Sequence, residues 1–223
     1  MRNRSSPRSA AGFSLIELMI AMTIMLLLLG IVSSLLSRSY SVRSRESQRT
    51  DALTSAQAAL NVISREIANG GFGIYEGTNT RFASNGIVTA DSTSSRIRIR
   101  SNVLNSGVPG DGSSTALRTN QPGEDITYFF DAASDSIIRY DPNDTPQTSV
   151  VVNRISDVTF QYFDYVGTNS TGVLASTPSM NTGRVRITVM VQLDPVAGQP
   201  NPLDVQFTSD VTLRNSNYML NQY

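Results

Sequence analysis

Gly12-Phe13-Ser14-Leu15-Ile16-Glu17-Leu18-Met19 opens an apolar run that continues to Leu36, and Arg2, Arg4 and Arg8 precede it. Between Leu18 and Leu36 there is no charge, and only Thr23, Ser33 and Ser34 interrupt the apolar side chains. At about 1.5 Å of rise per residue, roughly 20 such residues cross a hydrocarbon layer about 30 Å thick. Glu17 stands just inside the start of that run. A carboxylate in lipid costs about 2.5–3.5 kcal/mol on insertion scales, so its presence needs a reason.

A secretory signal peptide would place a small-residue cleavage site after its apolar region. Here Ser37-Arg38-Ser39-Tyr40 follows, and a plain anchor has no use for Glu17. The compound pattern is a glycine, a phenylalanine, a glutamate at the fifth place counted from that phenylalanine, and an apolar helix of spanning length. It resembles the processing site of type IV prepilins and of type II secretion pseudopilins. The resemblance implies that a prepilin peptidase cuts after Gly12 on the cytoplasmic side and methylates the new N-terminal Phe13. It implies that Glu17, the fifth mature residue, serves subunit assembly. The implied partners are the prepilin peptidase, other major and minor pilins, and an inner-membrane assembly platform. The implied location is the inner membrane before assembly, single-pass with the leader cytoplasmic and the globular domain periplasmic, and then the pilus at the cell surface.

Composition narrows the chemistry. All 18 basic residues are arginine, and Lys, Cys, His and Trp are absent. No disulfide can form, and triads using His or Cys, ordinary zinc sites and a P-loop lysine are excluded. Gly71-Phe72-Gly73-Ile74-Tyr75-Glu76-Gly77 falls one residue off a dinucleotide fingerprint and follows a helix instead of a strand. No spacing singles out a pair of carboxylates, so the sequence points to no catalytic residue, cofactor or metal. Without the leader the chain carries 15 basic against 18 acidic residues, a net of −3, and this balance points neither to nucleic acid nor to an anionic membrane as a partner. Arg38, Arg43, Arg45 and Arg49 follow the span, so charge bias alone leaves its orientation undecided.

Downstream, Ser37 to Asp51 is polar, Arg-rich and free of Pro and Gly, so a helix can continue through it. Leu53, Ala56, Leu60, Ile63 and Ile67 then recur at spacings of three and four, which predicts an apolar stripe packed on something. Asn69-Gly70-Gly71 supplies the stop. The spacing therefore predicts one helix over 13–69, transmembrane over 13–36 and amphipathic beyond, with Gly30 as its weakest interior position. A cleaved leader over 1–12 precedes it, and a periplasmic β-rich domain over 70–223 follows.

In that domain the period becomes two. Arg96, Arg98 and Arg100 alternate with Ile97 and Ile99, which predicts a strand with a solvated arginine face. Ile126–Asp131 and Ile137–Tyr140 read as a hairpin around 132–136, and strands follow at Val150–Asn153 and Val158–Tyr165. The clearest strands carry Val185 to Leu193 and Val205 to Leu213, joined by a proline-rich turn over Asp194–Pro202. Stretches 101–125 and 167–183 are expected to be long surface loops. The expected fold class is α+β, a long N-terminal helix packed on a C-terminal antiparallel sheet.

Further motifs extend the resemblance. The helix exit Ser64-Arg65-Glu66-Ile67 before Gly70-Gly71-Phe72-Gly73, the hairpin Thr127–Asp131, the strand Val158–Tyr162 and the ending Val211–Asn215 are similar to PilW-type minor pilins. Pseudopilin J of type II secretion shares this layout. The expected function is thus a non-catalytic minor pilin of a type IV pilus, acting in assembly initiation or the tip complex. The alternatives are a J-like minor pseudopilin, or an adhesin or DNA-binding tip module on a pilin anchor, with recognition on the two long loops. Asp141-Pro142-Asn143-Asp144 offers oxygen ligands for calcium but has the spacing of an ordinary turn.

Overall fold

The computed structural model describes residues 12–74, 85–104, 119–167, 171–193, 195 and 203–220. Most of the leader, the centre of the 101–125 stretch and nearly all of the Asp194–Pro202 turn lie outside these residues. The architecture is α+β, and it has the layout of a pilin fold: a long N-terminal helix packed with C-terminal antiparallel sheets.

Helix α1 runs without a break over Leu15–Ala68, about 81 Å at 1.5 Å per residue. Every residue from Gly12 to Tyr40 is exposed, including the whole apolar run. Its most apolar window has a mean hydropathy of 2.7 with none of it buried. A helix that is apolar all round and uncovered by its own domain requires lipid or other protein as its surroundings.

The second half of α1 buries Ala56, Ala59, Leu60, Ile63 and Ile67, with Ala52 half-buried. Leu53, expected in this stripe, is 44% exposed. At 100° per residue it sits at the stripe's edge, about 60° from Ala56, and the domain does not reach it. The helix ends as Asn69 N–H and Gly70 N–H close on the carbonyls of Arg65, Glu66 and Ile67. Gly71 then takes a positive φ of 78°.

Eight strands follow: β1 (Arg96–Arg100), β2 (Asp125–Asp131), β3 (Ser136–Tyr140), β4 (Thr148–Asn153), β5 (Asp157–Asp164), β6 (Val173–Ala175), β7 (Thr182–Leu193) and β8 (Leu203–Thr212). They form two antiparallel four-stranded sheets, β1-β2-β3-β4 and β6-β5-β7-β8, and the second contains the antiparallel β7–β8 pair expected from alternation. Period two says which face of a strand is buried but not which strands pair. The division falls at Arg154, whose φ of 60° turns the chain out of β4 and sends Ile155 into the core. The 167–183 stretch is also more ordered than expected, since it holds β6 and the first residues of β7.

Helix α1 lies against β7 and β8 and touches β4. Val185, Ile187, Val189, Val191, Val211 and Leu213 meet Ile63 and Ile67 in one core with Ile97, Tyr128 and Phe160. The first sheet closes over β5 through Ser94, whose carbonyl accepts from Phe160 N–H at 2.7 Å, and Thr93, whose carbonyl accepts from Tyr162 O–H at 2.7 Å. Residues just past β8 return to the helix exit. Arg214 N–H donates to the Ala68 carbonyl at 3.2 Å and Asn215 Nδ2 to the Gly70 carbonyl at 2.9 Å. Gly86 allows the chain to pass this exit, because a Cβ there would sit 2.0 Å from the Gly71 nitrogen.

These burials rank the helix positions. Ile63→Ala is expected to cost about 2–5 kcal/mol, as for other large-to-small changes at fully buried sites. Leu53→Ala should stay within about 0.5 kcal/mol, the range of exposed positions. Denaturant titration of both variants in detergent micelles checks the order, and equal losses would contradict the docked face described above.

A candidate processing and assembly site at the helix N-terminus

Gly12 and Phe13 precede α1 as non-helical residues, and the Phe13 ring is 85% exposed. A Cβ built on Gly12 would meet nothing within 4 Å. The fold of this chain therefore does not require glycine there, unlike at Gly86. A demand for the smallest side chain at position 12 has to come from outside, as from an enzyme that must grip the backbone before Phe13.

Ser14 is the N-cap, with φ −69° and ψ 143°. Its carbonyl accepts from Leu18 N–H at 3.1 Å, and its own N–H donates to Glu17 Oε2 at 3.3 Å. Ser14-x-x-Glu17 thus has the spacing of a capping box, a signal present in the sequence that the reading of Glu17 as a membrane charge passed over. The carboxylate gains from the helix N-terminus and satisfies one orphan donor there. It has no cation partner among the described residues. Capping of this kind is worth about 0.5–2 kcal/mol, less than the penalty for a carboxylate in lipid. Glu17 is therefore half-satisfied in the isolated chain.

Residues 7–33 match the prokaryotic N-terminal methylation motif. No curated protein and no solved structure matches the chain. The prepilin-type motif takes in Gly12, Phe13, Glu17 and most of the apolar half of α1, and none of the sheets. It supports the type IV pilin or pseudopilin family, and with it a structural filament subunit processed by prepilin peptidase and assembled with other pilins. A spanning apolar helix behind the motif fits membrane anchoring followed by incorporation in a pilus.

The remaining sequence candidates separate on structure. Arg96, Arg98 and Arg100 do not form the free solvated face expected of them. Arg98 pairs with Asp91, and its Nε and Nη2 donate to the two Asp125 oxygens at 2.8 and 2.7 Å. Arg100 Nε reaches Asp125 Oδ2 at 3.1 Å, while Arg96 lies 6.0 Å from the Phe129 ring centre. Neighbouring carboxylates neutralise Arg98 and Arg100, which removes the charge that phosphate recognition would need. Periodicity cannot show this, because Asp125 comes from β2, 25 or more positions downstream.

Asp141 is fully buried and its carboxylate already accepts from protein donors: Gly123 N–H at 2.6 Å, Asn143 N–H at 3.0 Å, and the Arg139 guanidinium at 3.5 Å. It anchors a turn. Arg139 also contacts Glu66 at 3.3 Å, and Tyr128 O–H donates to the same Glu66 oxygen, so this chain of polar groups ties the end of α1 to β2 and β3. Burial, followed by the Glu66 charge, pushes the Tyr128 hydroxyl well above its ordinary range and keeps it a donor. Among the described residues no cluster of three or more acidic, His or Cys side chains could hold a metal ion.

Burial alone would raise Asp125, but the hydrogen bonds from Arg98 and the charge of Arg100 outweigh it and hold the carboxyl below the usual range. A carboxyl depressed on folding stabilises the fold above its unfolded value of about 3.9, and that stability goes as pH falls through the folded value. Wild type is therefore expected to lose more stability between pH 7 and pH 3 than Asp125→Asn. Thermal unfolding at the two pH values checks it; a gap between the proteins that stays constant would mean that Asp125 is not the titrating contact.

Proposed function

We propose that this chain is a minor pilin of a type IV pilus, a non-catalytic filament subunit that takes part in assembly initiation or in the tip complex. The supporting observation is the N-terminal constellation: a glycine that its own fold does not need, the exposed Phe13 after it, and Glu17 on an uncovered spanning helix. In this reading residues 1–12 are a cleaved leader, 13–36 cross the membrane and later line the filament core, and 70–223 form the periplasmic domain. Phe13 is cut free after Gly12 and N-methylated. Its amine, basic with or without methylation, is the full charge that Glu17 lacks. Pairing with the amine of a neighbouring subunit makes entry into the filament satisfy a carboxylate left half-satisfied in lipid. The assembly platform of the inner membrane and other pilins are then the partners.

Cleavage is tested first. Gly12→Val is expected to leave the leader attached, seen as the uncut size on an immunoblot; a normal mature band would remove the cleavage assignment. Assembly is tested at Glu17. Glu17→Val should keep cleavage and membrane residence and lower the subunit's share in sheared filaments. Glu17→Gln separates charge from capping, since the amide oxygen still accepts from Ser14 N–H. If charge pairing drives incorporation, Gln fails as Val does, while Asp retains part of the wild-type yield. Wild-type incorporation of the Gln variant would assign Glu17 to the cap and not to an intersubunit contact.

A further inference from the structure

Four arginines stand on α1 between the apolar run and the domain: Arg38, Arg43, Arg45 and Arg49. Five arginines of the sheets, Arg98, Arg100, Arg139, Arg184 and Arg186, are in ion pairs, whereas Arg65, Arg96, Arg154 and Arg214 are not, among the described residues. Arg38, Arg43, Arg45 and Arg49 have no ion-pair partner there either. Arg45 Nη1 and Gln48 Oε1 are buried with no hydrogen-bond partner. At 100° per residue Arg38, Arg45 and Arg49 fall within about 40° of one another, on the same face as Ala56, Ile63 and Ile67. The segment's own acids point elsewhere, Glu46 about 80° and Asp51 about 140° from Arg38. Arg38, Arg45 and Arg49 therefore line the side of the helix that lies beneath the domain, while Arg43, about 140° from Arg38 and three residues before Glu46, stands on the other side.

Height and direction identify what they face. Taking Leu36 as the end of the hydrocarbon crossing, Arg38, Arg43 and Arg45 rise about 3, 10 and 14 Å above it. Helical side chains lean toward the helix N-terminus, here toward the bilayer, and long arginine stems bring their charge down to the headgroup layer. Arg49 stands about 20 Å above Leu36, too high for headgroup contact, but it keeps the same face positive. A guanidinium forks onto two phosphate oxygens, which suits a planar donor such as the exposed Arg38.

We propose that Arg38, Arg43 and Arg45, backed by Arg49, form a docking belt for anionic phospholipid headgroups of the leaflet next to the domain. The belt holds the subunit upright at the bilayer before filament entry, and leaving the membrane requires giving up these phosphates. This rests on the membrane-spanning part of the proposed function and on nothing about pilus type or orientation. A chain that fails to enter micelles or bilayers would refute the span itself, a result distinct from the one below.

The test is native mass spectrometry of the full chain released from detergent micelles carrying either phosphatidylglycerol or phosphatidylcholine. Retained phosphatidylglycerol should exceed phosphatidylcholine, and each arginine of the belt changed to glutamine should weaken retention about fivefold. A triple Arg38→Gln, Arg43→Gln, Arg45→Gln variant should lose the preference, and the matching triple lysine variant should recover most of it. Removing the same charge far above the membrane, with Arg65→Gln at the helix exit and Arg154→Gln and Arg214→Gln in the domain, should leave it unchanged. Millimolar inorganic phosphate should not displace the lipid. Equal retention of the two lipids, a preference that survives in the belt variant, an equal loss in the domain variant, or displacement by free phosphate would each overturn the proposal.

Discussion

A single continuous helix has to satisfy two different surroundings, and the rest of the molecule follows from that. Over its second half α1 gives Ile63 and Ile67 to a protein core, both fully buried. Over its first half it gives nothing to its own domain and presents apolar side chains on every side. Two buried isoleucines on one stripe are worth about 1.5–3 kcal/mol each, enough to set how the helix rolls against the domain. The docking of one end thereby decides which side of the free end lies beneath the domain.

Around that docked stripe the polar groups act as orientation devices. Tyr128, Glu66, Arg139 and Asp141 form one connected path from the helix exit through β2 and β3 into the turn after β3. Ser64 and Ser209 meet at 3.1 Å on the other side, and the carbonyls of Ala68 and Gly70 are covered from residues 214 and 215. Apolar contact with the sheets would tolerate small slides of the helix along its axis. Directional bonds at its exit do not, because the buried Tyr128 hydroxyl, on losing its half-buried partner Glu66, would carry the cost of desolvation.

Much of this is legible from residue order alone, and the limits have physical causes. The apolar run, the 3–4 spacing of the stripe and the strict alternation in β7 and β8 are local patterns, and the structure has an element at each. Leu53 is mistaken for a core residue because spacing defines a face but not its width: it sits at the edge of the stripe, while Ala52 just before it packs against the core. Arg98 is mistaken for a solvated side chain because Asp91 and Asp125 approach it only after β1 and β2 pair. The division into two sheets is not legible because alternation carries no information on pairing; the positive φ of Arg154, a residue type that gives no such warning, stands at the division. At the helix N-terminus Gly12, Phe13 and Glu17 are all legible as a motif, whereas the capping role of Glu17 was also written there, in Ser14, and overlooked.

Because the cover of the helix exit comes from residues 209 to 215, the bonds that seat α1 span about two-thirds of the chain: Ser64 to Ser209 and Gly70 to Asn215 are each separated by 145 positions. Contacts this distant carry a large loop-closure entropy and form late. During synthesis, the helix emerges long before the strand that fixes it, so the chain is tethered through its apolar half while its domain is still unclosed. Synthesis and folding are thereby placed in a fixed order: the last strand must be made before the helix acquires a defined rotation relative to the sheets. Only a chain extended past residue 215 holds its helix correctly turned, and the fold itself acts as a checkpoint for completeness.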